Sequence, residues 1–351
     1  MTRRLSGASR PLRRRTVLGG LGALAGTAML GRRAAAAPVT IRYATGGGIG
    51  TNEMQTIVFL DYLEKNVLQH YGKEYTVDMT FTRGTPEGAT LLAAGRTDMA
   101  ILAFSTFATT MLKGAVPNGL TILTDDYQDG RPGYASNSYY VLKDSPIQKV
   151  EDLKGKKIAI NAFGAAVDLT LRVVLKKHGL DPRRDVEIVE IAFPNIASAI
   201  RERRVDCGVM IIPFAPPEVA KGDLRELFAG RDAFGAHCVL FQVVTNDFLA
   251  AHRDAVRAFL DDYVRALHWY YDKANRAKAI ELIADFTKTP KDILESYALT
   301  ERDYYRDLNG CVAPQLVQVP IDAMQREGFI PQTVDVSKSF DPSLLPFPCK
   351  A

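Results

Sequence analysis

The sequence has few of the residues that build metal and redox centres. Its 351 residues include four cysteines, five histidines and one tryptophan, and no cysteine lies before Cys207. The spacings contain neither a C-x-x-C pair nor a cysteine and histidine pattern typical of zinc. We therefore expect neither a metal nor a cofactor.

Long apolar runs are also scarce. The longest uncharged stretch near the N-terminus, residues 17–30, has about 14 residues, whereas about 20 are needed to span a bilayer. It follows the arginines at 13–15 and precedes the small residues at 34–37, the layout of a secretory signal of the twin-arginine type. We expect a signal peptide over 1–36, cleavage before Ala37, and no membrane insertion afterwards.

Positive charge is concentrated in the expected signal. Residues 1–36 hold eight arginines and no acidic residue, so removing them leaves 36 basic against 40 acidic residues and a net charge of about −4. A nucleic-acid partner would need a dense basic face, and only Arg201, Arg203 and Arg204 cluster after Arg33. The composition therefore excludes nucleic-acid binding as the main role.

Two blocks of the sequence follow one plan. Each has a strand, a proline that opens a helix, and an aspartate that leads into an apolar strand, and twelve residues separate Pro86 from Asp98 and Pro194 from Asp206. Alternating strands and helices predict α/β units, and the repetition predicts two similar lobes. We expect lobe 1 over 37–136, lobe 2 over 137–245, and C-terminal helices and a tail over 246–351 that pack back on lobe 1.

The block from Pro86 to Ala103 and the segment from Val150 to Ala159 carry a family resemblance. They resemble periplasmic substrate-binding proteins of ABC importers, in the group that binds nitrate, sulfonate, taurine and thiamine pyrimidines. The resemblance implies an α/β fold of two lobes (type II-like), each a mostly parallel sheet flanked by helices, with the ligand in a cleft between the lobes. It also implies an ABC permease and ATPase as partners, a monomer, and a location in the periplasm or on the extracytoplasmic side of the membrane.

Loops at the strand ends supply the candidate ligand contacts. Glycines let the backbone approach a ligand, and helix N-termini offer free N–H groups, while Arg83 is the candidate partner for a carboxylate. The other readings are a simple turn for the glycines, core packing for the phenylalanines and a solvated surface position for Arg83. The candidates are Thr45, Gly46, Gly47, Gly48, Arg83, Phe104, Ser105, Thr106, Phe163, Gly164, Ala165, Ala166, Pro213 and Phe214.

Binding without catalysis is the expected function. Enzymes that resemble these binders use a cysteine-rich iron motif or a cysteine in the first strand loop, where this chain has glycines 46–48. Alanines at 165 and 166, with phenylalanines nearby, favour a small organic acid with an apolar or aromatic body over nitrate or a small sulfonate. The alternatives are a ligand-sensing receptor component and an enzyme on the same fold.

The four cysteines are expected in an exported chain, where disulfides form. Cys349 ends a proline-rich tail that needs tethering, so Cys311–Cys349 is the first expected bridge. Cys207–Cys238 is the second, and the alternative is that these two thiols are buried in the core as small apolar groups.

Overall fold

The structure is a computed structural model that describes residues 37–47 and 54–349. The expected signal peptide and Gly48 lie outside the described residues. The strands are β1 Val39–Ala44, β2 Tyr75–Thr80, β3 Met99–Ala103, β4 Leu120–Asp129, β5 Ser138–Leu142, β6 Lys157–Ile160, β7 Glu187–Glu190, β8 Cys207–Met210, β9 Leu224–Ala229 and β10 His237–Thr245.

Helices cover both sheets and form most of the C-terminal third. The helices are α1 Met54–Ile57, α2 Asp61–Asn66, α3 Thr85–Ala93, α4 Phe104–Leu112, α5 Ala166–Lys177, α6 Phe193–Arg201, α7 Ala215–Val219, α8 Gly230–Phe234, α9 Asn246–Ala251, α10 Arg253–Tyr271, α11 Arg276–Thr287, α12 Lys291–Tyr297 and α13 Pro314–Arg326. Within the described ranges, no helix is long and apolar enough to cross a membrane.

The strands form two five-stranded sheets with the same topology. The first sheet has the order β2-β1-β3-β10-β4 and the second β7-β6-β8-β5-β9. In each sheet the first three strands are parallel, and the fourth runs antiparallel to its neighbours. Because the two orders correspond strand by strand, the structure repeats the duplication that the sequence predicts.

The chain crosses between the sheets twice, and only the first sheet contains a strand, β10, that follows the other sheet in sequence. Strand β5 follows β4 but lies in the second sheet, and β10 follows α8 but pairs with β3 and β4 in the first. The expected second lobe, 137–245, includes β10, which pairs with β3 and β4 of the first sheet. The two crossing segments pass so close that a Cβ on Gly130, which has φ +72°, would overlap the carbonyl oxygen of Gly235.

The paired aspartates of the duplicated block start equivalent strands. The N–H of Arg42 donates to Asp98 Oδ2 at 3.0 Å, and the N–H of Asp98 donates back to the Arg42 carbonyl at 2.8 Å. Lys157 and Asp206 exchange the same two bonds at 2.9 and 2.8 Å. The repeated aspartate therefore fixes the relative register of two neighbouring strands in each lobe.

Residues 54–66 form two short helices, α1 and α2, which residues 58–60 separate. The hydroxyl of Tyr270 donates to the carbonyl of Ile57 at 2.8 Å. That carbonyl is the acceptor that the next turn of a continuous helix would use. A contact from α10 therefore accompanies the break between α1 and α2. The periodicity of apolar residues does not predict this break.

Separate apolar cores stabilise the two sheets. One core lies between the second sheet and α5 and α6, and a larger one joins the first sheet to α4, α10, α11 and α13. The tail is fixed by a disulfide between Cys311 and Cys349, the pairing that the sequence favours. Cys207 and Cys238 are free buried thiols, so the second expected bridge is absent and the alternative reading fits them.

Candidate functional site

A small cavity lies where the strand-end loops of the two sheets meet. Its volume is about 50 Å³, and its walls come from both halves of the molecule. The described lining residues are Gly46, Gly47, Thr85, Tyr127, Asn161, Ala165, Ala166, Val167, Phe193, Ile211, Val239 and Leu240. This is the edge at which open α/β sheets bind ligands.

The N-terminus of α5 points at this cavity. Ala166 and Val167 line the wall, and their backbone N–H groups have no acceptor in the described part of the chain. Beside them, the Asp168 carboxylate accepts the Gly164 N–H at 2.8 Å and pairs with Arg172 at 2.7 Å. The positive end of the helix dipole and the free N–H groups favour a ligand with an oxygen acceptor at this position.

Two buried side-chain oxygens face the cavity without a partner. Thr85 Oγ1 and Asn161 Oδ1 are buried and make no hydrogen bond among the described residues, and Thr85 is only 3% exposed. Thr85 begins α3 beside the first sheet, whereas Asn161 follows β6 in the second. Since buried polar groups in proteins are normally hydrogen-bonded, these two atoms offer one unsatisfied bonding position from each sheet to a ligand or a water in the cavity.

The two halves are in contact at the edge of the cavity. Ser105 Oγ donates to the carbonyl of Gly164 at 2.8 Å. On the other side, a Cβ added at Gly84 would lie 3.3 Å from Asn161 Nδ2 and 3.4 Å from the Cβ of Ala162. The cavity is therefore largely enclosed by loops from both sheets.

Buried carboxyl groups lie near the cavity but do not line it. Burial raises the pKa of Asp126 to about 6, against the opposing effect of Arg306 and the N–H of Met54. Burial also raises the pKa of Asp168, an effect that the Gly164 N–H and Arg172 partly offset. No described lining residue carries a charge, and the sequence from 48 to 53 contains no lysine or arginine.

Several of the predicted contacts lie in or beside this cavity. Gly46, Gly47, Ala165 and Ala166 line it. Thr45 shapes the first loop, because its hydroxyl donates to the Gly47 carbonyl at 2.6 Å.

A shallower neighbouring cavity of about 350 Å³ takes in other predicted positions. Thr106 and Gly164 are among the residues that line it. Ser105, which joins the two halves through Gly164, stands next to Thr106 at the start of α4.

Phe104 and Phe163 do not line the main cavity. Phe104 has no exposed surface and packs edge-on against Phe234 and His237, so it belongs to the core. Phe163 is 48% exposed, and the Arg172 guanidinium lies 5.9 Å from its ring centre. A strand-end position predicts proximity to the cleft, but it does not fix the direction of the side chain.

Pro213, Phe214 and Arg83 also fall outside the lining. Pro213 is buried, and Phe214 stacks on the lining residue Phe193 with ring centres 6.3 Å apart. The Arg83 side chain is 94% exposed and pairs with Glu87, one turn into α3. In this structure the Arg83 side chain therefore lies in solvent and does not line the cavity.

The residues that the sequence analysis missed include Thr85 and Phe193. They stand immediately before Pro86 and Pro194, the prolines of the duplicated block, and both line the cavity. The repeated proline was therefore the available signal, because the residue before it lines the cavity in both lobes. Asn161, Tyr127 and Ile211 had no comparable mark in the sequence.

Comparison with known proteins shows that most of the chain matches one protein family. The model of the NMT1-like family matches residues 51–284. A putative aliphatic sulfonates-binding protein of Bacillus subtilis is 26% identical over 216 residues, which are 61% of this chain and 62% of that protein. The chain thus spans less than two thirds of the length of this relative.

Solved structures show the same fold at low identity. The alkanesulfonate-binding protein SsuA of Xanthomonas axonopodis pv. citri, bound to MOPS, has a TM-score of 0.68 and 20% identity, covering 87% of this chain and 99% of its own. The periplasmic nitrate-binding protein NrtA of Synechocystis PCC 6803 has a TM-score of 0.66 and 14% identity, covering 88% and 87%. The fold is therefore the two-lobed fold of periplasmic binding proteins, as the sequence predicts.

Proposed function

This chain belongs to the NMT1-like family, and from that premise we propose that it is the extracytoplasmic solute-binding protein of an ABC importer. It binds a small organic acid between the lobes, without chemical conversion, and delivers it to the permease and ATPase. The observation that carries the proposal is the pair of unpartnered buried oxygens, Thr85 Oγ1 and Asn161 Oδ1, which belong to different halves of the molecule and line one cavity. A ligand that forms hydrogen bonds with both oxygens stabilises the closed state, which the permease then recognises.

The lining supports an organic acid held by neutral donors. An oxygen of the acid group accepts bonds from the N–H groups of Ala166 and Val167, where the helix dipole favours negative charge. The apolar body then packs against Phe193, Ile211 and Leu240, which line the same cavity. Because no charged side chain lines the described cavity, ligand shape and hydrogen bonding set the specificity more than net charge does.

Export places this binding in the periplasm or outside the cell membrane. The support is the arrangement of residues 1–36, where paired arginines precede a short apolar stretch and small residues. A disulfide in the tail fits an oxidising compartment. N-terminal sequencing of the exported protein tests the proposed cleavage before Ala37.

A calorimetric and thermal-shift screen tests the binding function. The panel holds aromatic carboxylates, alkanesulfonates, taurine, nitrate, bicarbonate and pyrimidines. We expect an aromatic or aliphatic acid to raise the melting temperature in proportion to the logarithm of its excess. If no compound of any class binds, the binding function is wrong; if only an uncharged compound binds, the acid class alone is wrong.

Replacing Thr85 by valine is expected to weaken binding of the acid found in this screen by about tenfold. Valine keeps the volume of the side chain but removes the hydroxyl, and one buried hydrogen bond contributes about 1 to 1.5 kcal/mol. Isothermal titration of the wild type and the variant measures the change. The matched control is Arg83→Gln, a substitution at an exposed position near α3, which should leave affinity unchanged; equal affinity in Thr85→Val would remove this residue from the site.

A further inference from the structure

A second cavity lies at the outer edge of the first sheet. It has a volume of about 490 Å³ and is bounded by strand β4, the first turn of α13 and the C-terminal tail. Leu123, Val312, Phe340 and Leu345 give it apolar walls, and no described residue lines both this cavity and the cleft between the lobes. Its size is within the range of small-molecule sites.

Arg131 is the cation in this second cavity, and its position is fixed. Its Nε donates to Gln128 Oε1 at 2.7 Å, and its guanidinium lies 4.9 Å from the ring centre of Tyr305. Gln128 is itself held, because its Nε2 donates to Asp125 at 2.8 Å. In the described part of the chain, the two terminal nitrogens of Arg131 have no hydrogen-bond or ion-pair partner, so a preorganised donor group faces the cavity.

The acidic residues at the cavity wall already have donors. Asp341 Oδ2 accepts from Arg253 at 2.7 Å, and Asp307 Oδ1 accepts from the backbone N–H of Asn309 at 2.9 Å. Neither lies within ion-pair distance of Arg131 among the described pairs. Arg131 therefore supplies the unpaired donors of this cavity, and a ligand with a negatively charged acceptor would satisfy them.

We propose that this cavity is a second binding site, which takes a small amphipathic anion. The carboxylate or sulfonate of the ligand accepts hydrogen bonds from the terminal nitrogens of Arg131. Its aromatic or aliphatic body packs against Leu123, Phe340 and Leu345. The first turn of α13 adds the backbone N–H of Gln315, which has no acceptor in the described residues. The site is separate from the cleft and does not depend on the transport function.

The probe for the test is 8-anilinonaphthalene-1-sulfonate, an aromatic sulfonate whose fluorescence rises in apolar surroundings. The full chain should bind this probe at one site outside the cleft, and Arg131→Gln should weaken that binding by tenfold or more. Arg83→Gln is the matched control, because it removes an exposed guanidinium elsewhere. Thr85→Val, in the cleft, should leave the probe affinity unchanged.

A second variant keeps the test decisive if Arg131→Gln lowers the melting temperature. Gln315→Trp places a large ring at an exposed position on the rim and should reduce probe binding by a similar factor while the fold is retained. Equal affinity in the wild type and in Arg131→Gln would overturn the proposal. So would loss of probe binding in Thr85→Val, or no binding to the wild type at millimolar probe.

Discussion

Replacement of Asp262 by alanine is expected to lower the free energy of unfolding by about 4 kcal/mol. The carboxylate has no exposed surface and accepts four hydrogen bonds. Three come from the backbone N–H groups of Gln69, His70 and Tyr71 at 2.6, 2.9 and 3.0 Å, and the fourth from the Tyr75 hydroxyl at 3.0 Å. Alanine would leave all four donors without this acceptor and would release the loop before β2 from α10.

The neighbouring Asp261 provides the matched control. Its carboxylate is 31% exposed and pairs with Arg265 at 2.9 Å and His70 at 3.1 Å. Exposed ion pairs contribute about 1 kcal/mol or less, so Asp261→Ala should have a small effect. Urea unfolding measures both, and equal losses for Asp261→Ala and Asp262→Ala would show that the four hydrogen bonds do not stabilise the fold.

A metal-binding role for this cluster has less support than a structural one. His70, Asp261 and Asp262 offer ligand atoms within 4.8 Å of one another. Both oxygens of Asp262 already accept protein hydrogen bonds, and the two ring nitrogens of His70 face Glu74 and Asp261. Burial, followed by the Asp262 charge, raises the pKa of Tyr75, so its hydroxyl remains a hydrogen-bond donor at neutral pH.

The sequence predicts the fold well where a local pattern of residues is compatible with only one kind of secondary structure. The spacing from Pro86 to Asp98 and from Pro194 to Asp206 is one such pattern. In both lobes a strand begins directly after the aspartate. Strand β9 has no such pattern, because its residues Leu224–Ala229 include charged side chains at an edge of the second sheet. Edge strands lack the continuous apolar run by which buried strands are recognised.

The site was predicted less well than the fold, because side-chain direction depends on the facing lobe. Backbone positions such as Gly47 and Ala166 follow from strand ends and helix starts alone. Phe104 occupies a similar position, yet its ring turns inward to Phe234. Arg83 differs in the other direction, since its side chain lies in solvent beside Glu87, a position that the sequence does not distinguish from a ligand contact.

The second large effect concerns the tail. Cys349→Ser is expected to lower the free energy of unfolding by about 4 kcal/mol in the chain-entropy model. The bridge joins Cys311 and Cys349, which are 38 positions apart, so breaking it frees a long loop in the unfolded chain. Apart from the bridge, few buried side chains hold this tail in place. Val336, Ser339 and Leu344 are buried, whereas Phe347 is 44% exposed.

The controls separate the covalent link from the side chains themselves. Cys311→Ser and the double variant of Cys311 and Cys349 should match Cys349→Ser, because each lacks the same bridge, and a reductant should bring the wild type to the same value. Unfolding in guanidinium with and without reductant measures this; a wild type that the reductant leaves equally stable would contradict the prediction. Since both cysteines line the second cavity, loss of the bridge should also weaken binding of the aromatic sulfonate there, while ligand affinity in the cleft stays unchanged.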